Sequence, residues 1–125
     1  MEKEFVTYEQ ALALKELGFD EPCFTHYLKK ILLNNLVTVD TINSKFDNSR
    51  CSAPLYQQAF RWFREKYDML SYIDVMLSDK GNWVYDYVIV SNDDYTFDDE
   101  MKWDTYEEAE STCLDKLIEL VRKAK

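Results

Sequence analysis

The chain has 125 residues, 46% of them apolar and 15% aromatic, with only two glycines and two prolines, which excludes disordered and collagen-like chains. That length makes room for one domain, residues 1–125, burying roughly two-thirds of its extended surface, so a core is expected without metal or disulfide. Fifteen basic against twenty-four acidic residues leave a net charge of −9, which excludes a generic duplex-DNA surface and a polybasic membrane surface.

Thr7-Tyr8-Glu9-Gln10-Ala11 opens the first predicted helix with a capping box. The Thr7 hydroxyl covers an orphan N–H and the Gln10 side chain reaches back, with Phe5 or Val6 placed as a hydrophobic staple. The helix runs from Tyr8 to Leu17 and stops at Gly18, a residue able to take the left-handed cap conformation while Phe19 folds back. Ala11, Leu12, Ala13, Leu14 and Leu17 occupy nearly every side of its wheel, so no single buried face stands out.

Residues Cys23 to Thr41 admit two structures. Phe24 to Leu33 fits an edge helix, whereas Pro22, Asn34-Asn35 and the apolar run Leu36 to Val39 favour a hairpin. Asn43 to Cys51 has little periodicity and reads as a loop.

The middle helix, Pro54 to Lys66, has the clearest pattern. Pro54 suits a first helical turn, where its missing N–H has no partner to lose. Leu55, Tyr56, Ala59, Trp62, Phe63 and Tyr67 fall within an arc of about 160° at 100° per residue, with Gln57, Gln58, Arg61, Arg64 and Glu65 opposite. Ala59, Trp62 and Phe63 are therefore predicted to be buried against the hairpin that follows.

That hairpin comprises Leu70 to Leu77 and Trp83 to Val90, joined by Asp79-Lys80-Gly81-Asn82. Trp83, Tyr85, Tyr87 and Ile89 share one face of the second arm. This is the expected core side, because Asp86 on the other face is expensive to bury unpaired. Ser91 to Asp104 reads as loop with a short strand at Tyr95 to Phe97. A last helix then runs from Tyr106 to about Lys123, opened by Thr105 and Glu108 and lined by Ala109, Cys113, Leu114, Leu117, Ile118, Leu120 and Val121. The order α-β-β-α-β-β-α predicts an α+β two-layer sandwich, a mostly antiparallel sheet packed by three helices. Tyr8, Tyr56 and Tyr106 open the three helices in similar contexts; both a duplicated helix-strand-strand unit and shared capping chemistry would produce that spacing.

The segment Thr7-Tyr8-Glu9-Gln10-Ala11-Leu12-Ala13-Leu14-Lys15-Glu16-Leu17-Gly18-Phe19-Asp20-Glu21-Pro22-Cys23 resembles the opening of a family of small proteins without an assigned activity. Members occur in gut Bacteroides-type bacteria, their prophages and related phages. Ala53 to Tyr67 (APLYQQAFRWFREKY) is similar to the family's second signature and Thr105-Tyr106-Glu107-Glu108-Ala109 to its third. The resemblance spans nearly the whole chain and implies a bacterial cytoplasmic or mobile-element origin. It carries no functional residues. Thr25 to Asp47 departs from the pattern, being longer and more apolar than the short polar connection expected there.

Chemistry-bearing motifs are sparse. His26 is the one histidine, and with Cys23 beside it no four-ligand zinc set is completed. Cys23, Cys51 and Cys113 form no CxxC pair and, with no secretory signal in MEKEFVTYEQ, read as reduced thiols in cytoplasm. No P-loop, dinucleotide fingerprint, HExxH or EF-hand spacing occurs, and neither a cofactor nor a metal is expected. The charge is one-sided. From Asp93 to Glu110 nine acids stand against Lys102 alone, so this stretch carries −8 of the −9.

The favoured function is a non-enzymatic protein-interaction or accessory protein in the cytoplasm. Its candidate surface is Asp93, Asp94, Asp98, Asp99 and Glu100 in the acidic segment, with Gln57, Arg61 and Arg64 on the middle helix. A protein partner is expected, with no duplex DNA and no membrane. One alternative is an acidic inhibitor from a phage or mobile element that imitates DNA phosphates. Another is a small-molecule binder or enzyme, which needs a concave pocket around His26 or two facing carboxylates.

Overall fold

The computed structural model describes residues 4–33, 42–91, 95–97 and 103–124. They form an α+β fold of three helices and six antiparallel strands, in two compact units, Met1–Ala59 and Phe60–Lys125.

In the first unit, helix α1 (Tyr8–Glu16) begins with the predicted capping box. The Gln10 N–H donates to Thr7 Oγ1 at 3.2 Å and the Thr7 N–H to Gln10 Oε1 at 2.9 Å. Gln10 is nonetheless buried, because the Tyr56 hydroxyl donates to the same Oε1 at 2.9 Å. At the other end Gly18 has φ +97°. Its N–H donates to the Lys15 carbonyl at 3.1 Å and that of Phe19 to the Leu14 carbonyl at 2.9 Å, a Schellman closure that tucks Phe19 into the core.

Strands β1 (Thr25–Leu28), β2 (Ile31–Leu32) and β3 (Arg50–Ala53) form a sheet ordered β2-β1-β3, and α1 packs on β3. A hairpin does form here in place of an edge helix, but it lies within Phe24 to Leu33 and its turn is Lys29-Lys30, both at positive φ of 51° and 74°. Such a turn ordinarily takes Asn-Gly, so the lysines gave no turn signal. Residues 34–41, including Asn34-Asn35 and Leu36 to Val39, lie outside the described residues. The expected loop at Asn43 to Cys51 contains a 3-10 turn (Asn43–Lys45), and its last two residues, Arg50 and Cys51, open β3. Pro54 lies ahead of the middle helix, with its carbonyl accepting the Val6 N–H at 3.0 Å.

Helix α2 (Tyr56–Tyr67) begins in the first unit and ends in the second, with Ala59, Trp62 and Phe63 buried as the arc predicts. Asp68 then turns the chain at φ 56°. Strands β4 (Leu70–Leu77) and β5 (Trp83–Val90) match the predicted hairpin to the residue, and β6 (Tyr95–Phe97) completes a sheet ordered β4-β5-β6. The helix laid along β5 and β4 is α3 (Tyr106–Ala124), in the position expected for the middle helix. Ala109, Cys113, Leu114, Leu117, Ile118 and Val121 form its buried stripe. Glu110, counted above with the acidic flank, is buried as well. The central strand is the first of three in one sheet and the second of three in the other, so the two units do not repeat one topology.

Candidate interaction surface

The direction of each backbone group in the β4–β5 hairpin follows from its neighbours. Tyr85 exchanges both hydrogen bonds with Trp103, at 2.9 and 2.8 Å, on the side of β5 away from β4. Its partner across the hairpin, Val75, therefore belongs to a pair with no ladder bonds, since such pairs alternate along antiparallel strands. Ser78, whose N–H donates to the Asn82 carbonyl at 2.8 Å, has the opposite parity. The N–H and C=O groups of Ser71, Ile73, Val75 and Leu77 consequently point outward from β4, away from β5.

Side chains divide by the same parity. Ser71, Ile73, Val75 and Leu77 share a face with Trp83, Tyr85, Tyr87 and Ile89. Helix α3 covers part of that face, with Cys113 hydrogen-bonded to the Ser71 side chain and Tyr106 set edge-on to Tyr85 at 6.1 Å. It leaves the distal end uncovered: Val75 is 51% exposed, Leu77 59% and Trp83 62%. On the opposite face Leu70, Tyr72 and Met76 are also exposed. Both sides of the outer strand thus present apolar groups to solvent, where a soluble fold ordinarily places polar ones.

Two expectations for this hairpin are corrected. Trp83, expected in the core, is exposed, whereas Tyr87 and Ile89 on the same face are buried. Asp86, expected in water, is buried at 6% exposure. Its Oδ1 accepts the Tyr87 N–H at 2.8 Å, on the rung between the Tyr85–Trp103 bridge and the Ile89–Thr96 pair of β6. Burial there is tolerated because the carboxylate serves as an acceptor for the sheet. Asp74, directly opposite, does the same for the Val75 N–H at 3.0 Å but stays in solvent.

Among the residues singled out from the sequence, Gln57, Arg61 and Arg64 lie along α2; Gln57, Arg61 and Arg64 are all exposed. Asp93, Asp94, Asp98, Asp99 and Glu100 lie outside the described residues. The β4 surface escaped notice, although its signal is present in LSYIDVML: apolar residues at both parities mark a strand with two covered faces or a contact surface.

No group of three or more His, Cys, Asp or Glu among the described residues could hold a metal ion. Burial pushes the Cys23 and Cys113 thiols up to about 12 and raises that of Cys51, so all three are inert at neutral pH. His26 is half-buried against Phe46, with ring centroids 4.7 Å apart. Both its nitrogens are buried without a hydrogen-bond partner among the described residues. Desolvation, and then the Arg50 charge, holds its pKa below the ordinary 6.5. In the unfolded chain the ring takes up a proton first as pH falls, so stability is full above about 6.5 and is lost below it, towards the folded value. A series of melts between neutral pH and pH 5 should show this loss, and His26→Phe should flatten it. An unchanged slope in that variant would assign the acid sensitivity elsewhere.

Comparisons with protein-family models, with curated proteins and with solved structures each return no match to this chain.

Proposed function

We propose that the chain is a small protein-interaction module without an activity of its own, and that its contact surface is the distal half of the β4–β5 hairpin. The observation that carries this reading is the exposure of Val75, Leu77 and Trp83 beside an outer strand whose backbone groups point outward. Apolar groups clustered in this way cost solvation free energy in an isolated molecule and are recovered when a partner covers them. The acidic stretch from Asp93 to Glu110 works against nucleic acid and other acidic partners, because like charge opposes encounter. The module is placed in the cytoplasm of a bacterium or of a phage-infected cell, as the family resemblance implies. Among the described residues no helix is long and apolar enough to cross a membrane.

Exchanging Val75, Leu77 and Trp83 together for serine tests the reading. These side chains are more than half exposed, so melting should change little. Proteins retrieved by the parent chain should be lost from the triple variant. A variant that folds and still retains every partner at unchanged affinity would place the contact surface elsewhere.

A further inference from the structure

The outer edges of the two sheets are finished differently. On β3, the Ser52 N–H donates to Asn43 Oδ1 at 2.8 Å and the Arg50 carbonyl accepts Lys15 Nζ at 2.6 Å, so side chains block the edge. On β4, eight residues long, Asp74 engages one outward group, the Val75 N–H. No strand among the described residues pairs with its outer side. A long edge with apolar side chains on both faces is a template for another strand.

We infer that this edge pairs antiparallel with β4 of a second copy, joining two three-stranded sheets into one of six. The inference rests on the hairpin being a protein-contact surface and names its occupant. Three features select a second copy. The strand is self-complementary, because Ser71, Ile73, Val75 and Leu77 meet the same set in an antiparallel partner and exchange N–H and C=O bonds with it, the Val75 N–H leaving Asp74 to do so. The edge is nearly neutral: between Leu70 and Trp83 only Asp74, Asp79 and Lys80 are charged, and β6, flanked by the acidic stretch, is the opposite edge of the sheet. Edge-to-edge pairing also covers the flanks of Leu70, Tyr72, Val75, Met76 and Leu77, all exposed on the two faces of β4, in both copies at once. The two-fold axis falls at Ile73 or Val75, because an axis at Asp74 would set two carboxylates face to face.

Sedimentation equilibrium of the full chain, from micromolar to millimolar and at low and high salt, tests this. The expected result is a monomer–dimer equilibrium that tightens with salt, since screening relieves repulsion between two chains of −9. Asp74→Asn keeps the acceptor for the Val75 N–H and removes the charge, so it should tighten the dimer roughly three- to tenfold. Val75→Pro loses no bond of the β4–β5 ladder and should weaken the dimer about tenfold or more. Val75→Glu, at an exposed position, should weaken it too and serves if the proline variant does not fold. A chain that stays monomeric at millimolar concentration in high salt, also as Asp74→Asn, overturns the inference. So does a dimer indifferent to both Val75 variants. Partner capture that requires Val75, Leu77 and Trp83 while the chain remains monomeric would overturn the second copy and leave the hairpin reading intact.

Discussion

Replacing Phe63 with alanine should lower the free energy of unfolding by about 3–5 kcal/mol, the usual loss when a fully buried aromatic is removed from a core. Phe63 is 0% exposed and sits among aromatic neighbours on its own helix. Trp62 stands edge-on at 5.1 Å, and Tyr67 lies tilted at 5.8 Å. Trp62 and Tyr67 contact each other at 5.4 Å, and Lys66 lies over both rings, 5.0 and 5.6 Å from their centroids. The backbone at Phe63 matters as well, because its carbonyl accepts the Met69 N–H at 3.3 Å where the chain leaves α2. Truncation leaves a cavity whose walls are held by helix geometry and by ring contacts, so relaxation can recover little of the loss. Denaturation in urea measures it, and a cost below about 1 kcal/mol would contradict this account of the core. Tyr67→Phe is the control. The Tyr67 hydroxyl is buried without a hydrogen-bond partner among the described residues, so deleting it should be neutral or mildly stabilising.

The parts legible in the sequence are those where local chemistry and burial agree. The β4–β5 hairpin was readable because β-branched and aromatic runs flank Asp79-Lys80-Gly81-Asn82. Helix α1 was readable because Thr7, Gln10 and Gly18 carry its start and stop in their own side chains, or in the lack of one. The first sheet was harder to read. Its hairpin turns on Lys29-Lys30, residues that enter positive φ at some cost and carry no turn signature. Strand β3 is Arg-Cys-Ser-Ala, with little strand propensity of its own. Pairing with β1 and the Asn43 amide impose its conformation. Tertiary contacts of that kind leave no local trace.

The coverage of the second sheet was hard to read for a related reason. The face of β5 that carries Trp83, Tyr85, Tyr87 and Ile89 reads from the sequence as the core side, with the middle helix packed on the hairpin. Helix α3 covers the proximal part of one face only. Trp83 and Leu77 lie beyond its reach at the tip. Asp86 misled in the opposite direction, because a charge ordinarily marks solvent. Its carboxylate is instead used to satisfy a backbone N–H inside the sheet.

Asn43→Ala should destabilise the first unit by about 2–5 kcal/mol, although it removes only a small polar side chain. Asn43 is buried and joins two segments distant in sequence. Its Nδ2 donates to the Phe19 carbonyl at 2.8 Å, and its Oδ1 accepts the Ser52 N–H at 2.8 Å. Both Phe19 and Ser52 are almost fully buried, so alanine strands a donor and an acceptor where water cannot readily replace the amide. Each such group costs about 1–3 kcal/mol, more than the net value of a hydrogen bond, because the desolvation penalty is no longer offset. Asn43→Asp separates the two bonds. The aspartate still accepts from Ser52, but it cannot donate to Phe19 when ionised, and a buried charge faces a carbonyl oxygen. Its loss should therefore be larger at neutral pH than at pH 3, where the protonated acid can donate, once the parent's own acid sensitivity is subtracted. Hydrogen exchange at the Ser52 N–H gives a local readout. In Asn43→Ala that amide should lose protection by more than the global loss of stability accounts for, since its acceptor has gone. Equal stability of parent and Asn43→Ala in urea would mean that the Asn43 bridge contributes nothing to the first sheet, and the imposed strand β3 would need another cause.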